Sequence, residues 1–195
     1  MIKFATNDAR SGNINNVEFL VKDAGQLDCD WEFDTIFSNA ALHWVPDHPR
    51  LLRAFYRALN PGGRLLLQMG GRGNAQAMVN TVENMVLNDK WRDYLVDLAF
   101  PWGFYGIDEY RLWLEQAGFK VSRVELVQKD MVHSTREGLA GWFRTTWLPY
   151  IQRIPQVMQE EFIDETIKSY LDLYPPDENG FNHLGMVRLE AEAEK

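Results

Sequence analysis

Residues 39–44 combine side chains that could bind a ligand with two small residues that leave room for one. Asn39 offers both a hydrogen-bond donor and an acceptor, and Ala40 and Ala41 permit close approach to the backbone. His43 could act as a general base, although a lone histidine in a loop is more often a structural hydrogen-bonding group. Trp44 is expected to form a pocket wall, because an aromatic ring supplies contact area at low entropic cost.

The elements predicted around this segment would place it at the end of a strand. A short apolar, β-rich run covers residues 33–38, and a second run covers residues 63–68 behind an Asn-Pro-Gly-Gly breaker. Between them, residues 49–59 carry leucines and a phenylalanine at helical spacing. Strand, helix and strand predict a right-handed crossover between parallel strands. Ligands bind at the carboxyl ends of such strands, which is where the candidate segment lies.

Two sequence blocks of this unit carry a family resemblance. They are FDTIFSNAALHWV at residues 33–45 and LNPGGRL at residues 59–65. In this order and spacing they resemble the fourth and fifth strands of class I S-adenosylmethionine-dependent methyltransferases. The chain is most similar to the small-molecule branch that includes trans-aconitate methyltransferase, and the likeness extends over most of its length.

The resemblance implies an α/β, Rossmann-like class I methyltransferase sheet that uses S-adenosylmethionine. It implies that Asp23 and Ala24, which follow a predicted strand over residues 17–22, meet the adenine of the cofactor. A carboxylate can accept a hydrogen bond from the adenine amino group. Asn39 and Ala40 would meet its amino-acid end. On the residues alone, Asp23 could equally begin a turn.

The same resemblance leaves the first strand, its helix and the second strand of the family without a counterpart. A helix predicted over residues 1–10 matches the one that follows the second strand, so the glycine-rich cofactor loop and the acidic ribose-binding residue are absent. Either the reading frame starts at an internal methionine or the chain is a fragment. We therefore expect a sheet lacking its first strands, weak or absent cofactor binding by this chain, and a homodimer that covers the open strand edges.

Helical segments on both sides of a predicted edge strand at residues 119–127 form a helical cap. Within one truncated domain of residues 1–195, the cap elements are residues 70–106 and 134–176. Asp108 and Ser134 are expected to be N-caps, and residues 181–193 to supply the last strand.

The resemblance also implies that the cap covers the substrate side of the pocket. Trp142 and Arg144 then join His43 and Trp44 as candidate substrate-binding residues. A planar guanidinium binds a carboxylate in a fork, which makes Arg144 the residue of interest for an acidic substrate. The alternative is that Arg144 is an ordinary surface arginine.

The composition and motifs of the chain argue against several other classes of function. The chain has 195 residues, 46% of them hydrophobic, which suits one domain with its own core. The net charge of −8 argues against nucleic acid or an anionic membrane as a partner, since both reward clustered lysine and arginine. A single cysteine, Cys29, fits the reducing cytoplasm. The histidines lack metal-ligand spacing, and there is no nucleophile-elbow motif, so neither a metal site nor a serine hydrolase is predicted.

These observations favour methyl transfer to a small molecule, with a carboxylate as the expected acceptor. The sulfonium already activates its methyl group, so the protein mainly binds, orients and excludes water, and we assign no catalytic residue. The rival hypothesis is a non-catalytic remnant of the fold that acts as a dimeric interaction protein. A nicotinamide oxidoreductase ranks behind both, because the dinucleotide fingerprint is missing.

Overall fold

The computed structural model describes residues 2–27 and 32–195. Cys29 therefore lies outside the described residues. The chain forms four strands and eight α-helices in these ranges, with short 3₁₀ turns at Ala24–Gln26, Leu42–Trp44 and Gln156–Met158. The strands are β1 (Phe33–Asn39), β2 (Leu59–Gly70), β3 (Lys120–His133) and β4 (Asn182–Glu194). The helices are α1 (Ile2–Ser11), α2 (His48–Ala58), α3 (Gln76–Val86), α4 (Asp89–Leu95), α5 (Ile107–Ala117), α6 (Arg136–Thr146), α7 (Leu148–Ile151) and α8 (Gln159–Leu173).

The four strands form one mixed sheet in the order β1-β2-β4-β3. β1 and β2 are parallel and are joined by α2, which confirms the predicted crossover. β4 runs antiparallel to both β2 and β3, and it brings Arg188 opposite Gly70. β3 lies at the edge of the sheet, as its alternating pattern predicts. The α/β, Rossmann-like fold predicted from the sequence is therefore confirmed.

One face of the sheet is covered by α2 and α5, and the contact forms a first hydrophobic core. Leu51 and Leu52 of α2 pack with Leu65 and Leu67 of β2, and all four side chains are buried. Helix α2 starts where the sequence favours a start, because the Asp47 side chain accepts a hydrogen bond from the Arg50 N–H. This crossover fixes the segment after β1 at the carboxyl end of the sheet.

A second core is formed by helices α3, α4, α6, α7 and α8 together with Trp102 and the start of β4. Its largest fully buried side chains include Trp91, Phe143 and Phe162, and the rings of Trp91 and Phe162 pack edge to face at 5.2 Å. We call this group of helices the cap. The helices predicted in residues 70–106 and 134–176 are present, although α4 ends earlier than its apolar pattern suggests.

The strand predicted over residues 17–22 is wrong. These residues form no strand, and Val17, Leu20 and Val21 are exposed. An alternating pattern becomes a strand only when a neighbouring strand completes its hydrogen bonds, and none of the four strands in the described residues lies beside this segment in the sheet.

Both predicted N-cap residues are also wrong, each by one or two positions. Helix α5 begins after Gly106, whose N–H donates to the Glu109 carboxylate, so Asp108 lies inside the first turn. Helix α6 begins after Thr135, whose hydroxyl accepts from the Gly138 N–H, so Ser134 lies outside it. In both cases neighbouring residues could cap the helix, and the geometry of the preceding chain selects one.

Among the described residues, none of the helices combines the length and apolar character needed to cross a bilayer.

A histidine at the start of β4 yields a first prediction. His183 Nδ1 lies 2.6 Å from Asp130 Oδ2, and its Nε2 lies 3.2 Å from Asp177 Oδ2. The hydrogen bonds to Asp130 and then Asp177 raise the pKa of His183 above its ordinary value. The protonated contact therefore contributes stability below about pH 6.5, and that contribution is lost as the pH rises through the raised pKa. An NMR titration should give a pKa above 6.5 that falls in Asp130→Asn and is unchanged in the distant Asp108→Asn.

Candidate functional site

A cavity of about 420 Å³ lies between the carboxyl ends of β1 and β2 and the cap. Its floor is formed by Ala40, His43 and Trp44 after β1 and by the end of β2. The cap contributes one wall from α6 and another from the loop after α4, and β4 closes the remaining side. Five aromatic side chains line it, namely Trp44, Trp102, Phe104, Trp142 and Trp147.

The backbone after β1 turns sharply at Ala40. Its φ is 52°, a left-handed value that costs a residue with a Cβ roughly 1–2 kcal/mol. The Ala40 N–H donates to the Gln68 carbonyl at 2.8 Å, which ties the turn to β2. The 3₁₀ turn Leu42–Trp44 follows, and the buried His48 Nε2 lies 2.9 Å from the Leu42 carbonyl and holds it in place. The turn thereby fixes Ala40 at the floor of the cavity.

His43 is positioned as a neutral hydrogen-bond donor. The Gly70 N–H lies 3.4 Å from its Nδ1, a long contact that favours the tautomer with the ring proton on Nε2. Burial, followed by the neighbouring His48, lowers the pKa of His43, so the ring is uncharged at neutral pH. This tautomer can donate from Nε2, whereas a general base acting at Nε2 would need the other tautomer. The geometry therefore suits ligand binding better than proton abstraction.

Trp102 joins the aromatic walls to one another. Its ring meets Trp44 edge to face at 5.6 Å and Trp147 at 4.9 Å, and it stacks on Phe104 at 5.9 Å. Trp142 completes the wall on the α6 side. Such walls suit a flat, apolar body, because offset and edge-on ring contacts are favourable.

Arg144 points to acidic partners within the cap and does not line the cavity. Its Nη2 lies 2.8 Å from Glu160 Oε2, and its Nη1 lies 3.4 Å from Glu137 Oε1. The hydrogen bonds with Glu160 raise the pKa of Arg144. The cavity instead contains Arg188 of β4, which sequence reasoning missed. Whether Arg144 reaches a substrate stays a prediction.

Asp23 and Ala24 lie apart from the residues that line this cavity. The Asp23 side chain accepts from the Gly25 N–H at 2.9 Å and caps the turn Ala24–Gln26. This is the turn-forming role that the sequence left open, and one carboxylate oxygen remains for another partner. Asn39 does not line the cavity, and with the Gln68 amide in the orientation assigned from its neighbours, Asn39 Oδ1 accepts a hydrogen bond from that amide. Adenine binding by Asp23 therefore stays a prediction.

The described residues do not form a complete site for S-adenosylmethionine. Asn39 and Ala40 lie at the carboxyl end of β1, where the resemblance places the amino-acid end of the cofactor, whereas Asp23 lies apart from the cavity, so both assignments stay predictions. The glycines at the end of β2 are not a cradle, because a Cβ at Gly70 would meet Phe104 and one at Gly71 would meet the Leu189 backbone. Among the described residues, no acidic side chain lines the cavity, so none is placed there to anchor a ribose.

In the part of the chain that the structure describes, no group of three acidic, histidine or cysteine side chains is placed to hold a metal ion.

Comparisons with known proteins agree on one family. The family model described as a methyltransferase domain matches residues 1–118. An uncharacterised methyltransferase of Schizosaccharomyces pombe is 29% identical over 76% of this chain and 57% of its own length. The trans-aconitate 2-methyltransferase of Variovorax paradoxus is 30% identical over 83% of this chain and 62% of its own length. The chain thus spans about three fifths of these relatives.

The fold has solved counterparts. A crystal structure of a proposed methyltransferase from Bacillus halodurans C-125 superposes with a TM-score of 0.60 and 20% identity, covering 100% of this chain and 78% of the other. The parallel crossover and the family match agree with the sequence blocks around Asn39. The chain belongs to the methyltransferase domain family and is a member of the class I S-adenosylmethionine-dependent methyltransferases.

Proposed function

We propose that the intact protein transfers a methyl group from S-adenosylmethionine to a carboxylate of a small molecule held in the aromatic cavity. The observation that carries this proposal is the position of the cavity, at the carboxyl ends of two parallel strands and beneath a helical cap. The relative from Variovorax paradoxus is named for trans-aconitate, a carboxylic acid, which supports an acidic acceptor.

Methylation of a carboxylate requires few catalytic groups from the side chains in the cavity. A carboxylate is already a nucleophile, so its methylation needs no general base, in agreement with the donor tautomer of His43. The tasks that remain are to bind the acceptor, orient it and keep water out. Trp44 and Trp142 are proposed to supply the contact area for the acceptor. The single cysteine supports a reducing compartment such as the cytoplasm.

We further propose that the 195-residue polypeptide by itself binds S-adenosylmethionine weakly and is inactive. Asp23, Ala24, Asn39 and Ala40 are too few groups to offset the entropy of binding without a backbone cradle. The rival function, a non-catalytic dimeric interaction protein, is favoured by one specific observation. In the described residues β1 pairs on one side only, and its Phe37 is 69% exposed. An open apolar strand edge pairs readily with a second copy.

Binding and activity measurements on two polypeptides distinguish these functions. The two are the 195-residue chain and the longest in-frame product of its gene. Calorimetry should show no saturable S-adenosylmethionine binding by the 195-residue chain, and light scattering should show a dimer. The longer product should bind the cofactor and methylate trans-aconitate in a radiolabel assay. A longer product that binds the cofactor and methylates no carboxylic acid would contradict the acidic acceptor. If the longer product binds no cofactor and remains dimeric, the result supports the interaction-protein hypothesis.

A further inference from the structure

Arg188 is the one formally charged side chain among the described residues that line the aromatic cavity. It lies on β4 directly opposite Gly70, the last residue of β2. This register brings a guanidinium to the carboxyl end of a parallel strand, close to the turn at Ala40. The Arg188 side chain is 37% exposed, so a ligand can reach it from solvent and its charge interactions stay partly screened.

The guanidinium of Arg188 is held in place by two neighbours on the same face of the sheet. The Gln68 amide is assigned the orientation in which its oxygen faces the Arg188 donors, because that orientation satisfies both side chains; Oε1 then accepts from Arg188 Nη1 at 2.7 Å and from Nε at 2.9 Å. Glu190 Oε1 lies 2.8 Å from Arg188 Nη2. A long side chain that is already ordered loses less entropy when it binds a ligand. Arg188 is therefore prepared for binding in a way that an unsupported surface arginine is not.

These contacts leave N–H donors on both terminal nitrogens of Arg188, since each carries two hydrogens. The negative charge of Glu190 is shared, because its other oxygen lies 2.9 Å from Arg123 Nη1. Arg123 in turn also pairs with Glu125 and Glu192. The two arginines of this cluster therefore face three carboxylates, and what Arg188 offers a ligand is its remaining N–H donors rather than an excess of positive charge. A carboxylate that enters from the cavity can meet the remaining donors.

The other polar groups of the cavity compete poorly for an anion. The hydroxyls of Thr145 and Thr146 both donate to the Trp142 carbonyl within α6, so their hydrogens are already used. His43 is uncharged at neutral pH, because burial lowers its pKa. Among the described residues of the cavity, a negative group on a ligand therefore has one charged partner, Arg188, beside the neutral donors of His43 and Asn74.

We propose that Arg188, and not Arg144, determines specificity by binding a carboxylate of a ligand whose planar, apolar body lies between the tryptophans. This inference rests on the proposed methyl transfer to an acid and names the residue that recognises it. A carboxylate held in a guanidinium fork is a weaker nucleophile, so the held group orients the ligand and a second group accepts the methyl.

The test compares two probes of the same planar shape, cinnamate and its uncharged amide, by calorimetry on the 195-residue chain. The wild type should bind cinnamate at least about tenfold more tightly than cinnamamide, as expected for a charged hydrogen-bond pair. Arg188→Met should bind both equally, and Arg188→Lys should retain part of the preference because it keeps the charge without the fork. Arg144→Met is the matched control and should keep the full preference. Thermal unfolding establishes that each variant is folded.

Several outcomes would overturn the assignment. They are equal binding of the two probes by the wild type, binding of neither, a preference that survives Arg188→Met, and a preference lost in Arg144→Met. If Arg188→Met does not fold, an undiminished affinity of Arg188→Lys for cinnamate overturns it instead. Methyl transfer is measured separately on the longest in-frame product. If the 195-residue chain prefers cinnamate but the longer product transfers no methyl group, the proposed function is rejected and the role of Arg188 stands. If the longer product transfers methyl groups and Arg188→Met leaves its KM for the acid unchanged, the role of Arg188 is rejected and the proposed function stands.

Discussion

Replacing Phe143 with alanine should lower the free energy of unfolding by about 3–5 kcal/mol, the range for removing a large aromatic side chain from a core. Phe143 is completely buried in the cap, where its ring stacks on Trp147 at 5.3 Å and lies 6.2 Å from the Phe162 ring. Alanine would leave a cavity between α6 and α8 that neighbouring side chains fill only in part. The change should also loosen Trp147, which forms part of the ligand cavity.

Urea unfolding followed by circular dichroism measures this loss. Val157→Ala is the control, because Val157 is 93% exposed in the turn before α8 and its removal should change stability by no more than about 0.5 kcal/mol. A loss below about 1 kcal/mol for Phe143→Ala would mean that the cap core collapses around the deletion, and that Trp147 is held by other contacts.

The parts of the fold that the sequence predicts well are those decided by neighbouring residues. The crossover from β1 through α2 to β2 follows from apolar runs, helical spacing and a Pro-Gly breaker, all within one stretch of chain. The segment over residues 17–22 fails for the opposite reason. Its alternating pattern is compatible with a strand, but a strand also needs a neighbouring strand to pair with, and the local sequence does not show whether one is present.

The helix starts show a finer limit of the same kind. Thr135 and the adjacent Ser134 both have a hydroxyl that can cap α6, and the extended backbone of Thr135 decides between them. At α5 the cap uses the backbone N–H of Gly106 and the side chain of Glu109. Composition narrows each start to a few residues, and only the path of the preceding chain selects one.

In the candidate site, too, local sequence predicts some residues, whereas others are brought in by contacts between distant parts of the chain. His43 and Trp44 could be found because they follow a predicted strand directly, and the structure places both, together with Trp142, on one cavity. Arg188 could not be found, because it reaches this cavity through the pairing of β4 with β2. The sequence shows β4 as a strand and gives no sign that it lies between β2 and β3. Arg144 attracted attention by its aromatic neighbours in sequence, although in the fold its guanidinium meets Glu160.

Two glycine-to-alanine substitutions should change stability in opposite directions, and they test how closely β2 approaches β4 at the edge of the cavity. At Gly71 a Cβ would stand 2.9 Å from the Leu189 backbone nitrogen and would overlap the Leu126 side chain. Gly71 also donates its N–H to the Val187 carbonyl at 2.9 Å, so the backbone cannot move aside freely. Gly71→Ala should therefore destabilise the protein by about 1–3 kcal/mol, as overpacking does.

Gly141 provides the matched control inside helix α6. A Cβ there would meet no heavy atom within 4 Å, and the backbone is helical. Alanine restricts the unfolded chain and favours the helix, so Gly141→Ala should stabilise the protein by about 0.5–1 kcal/mol. Both variants are compared by urea unfolding under the same conditions. If Gly71→Ala proved neutral or stabilising, β4 would have to lie farther from the end of β2, and Arg188 would lose the register that brings it into the cavity.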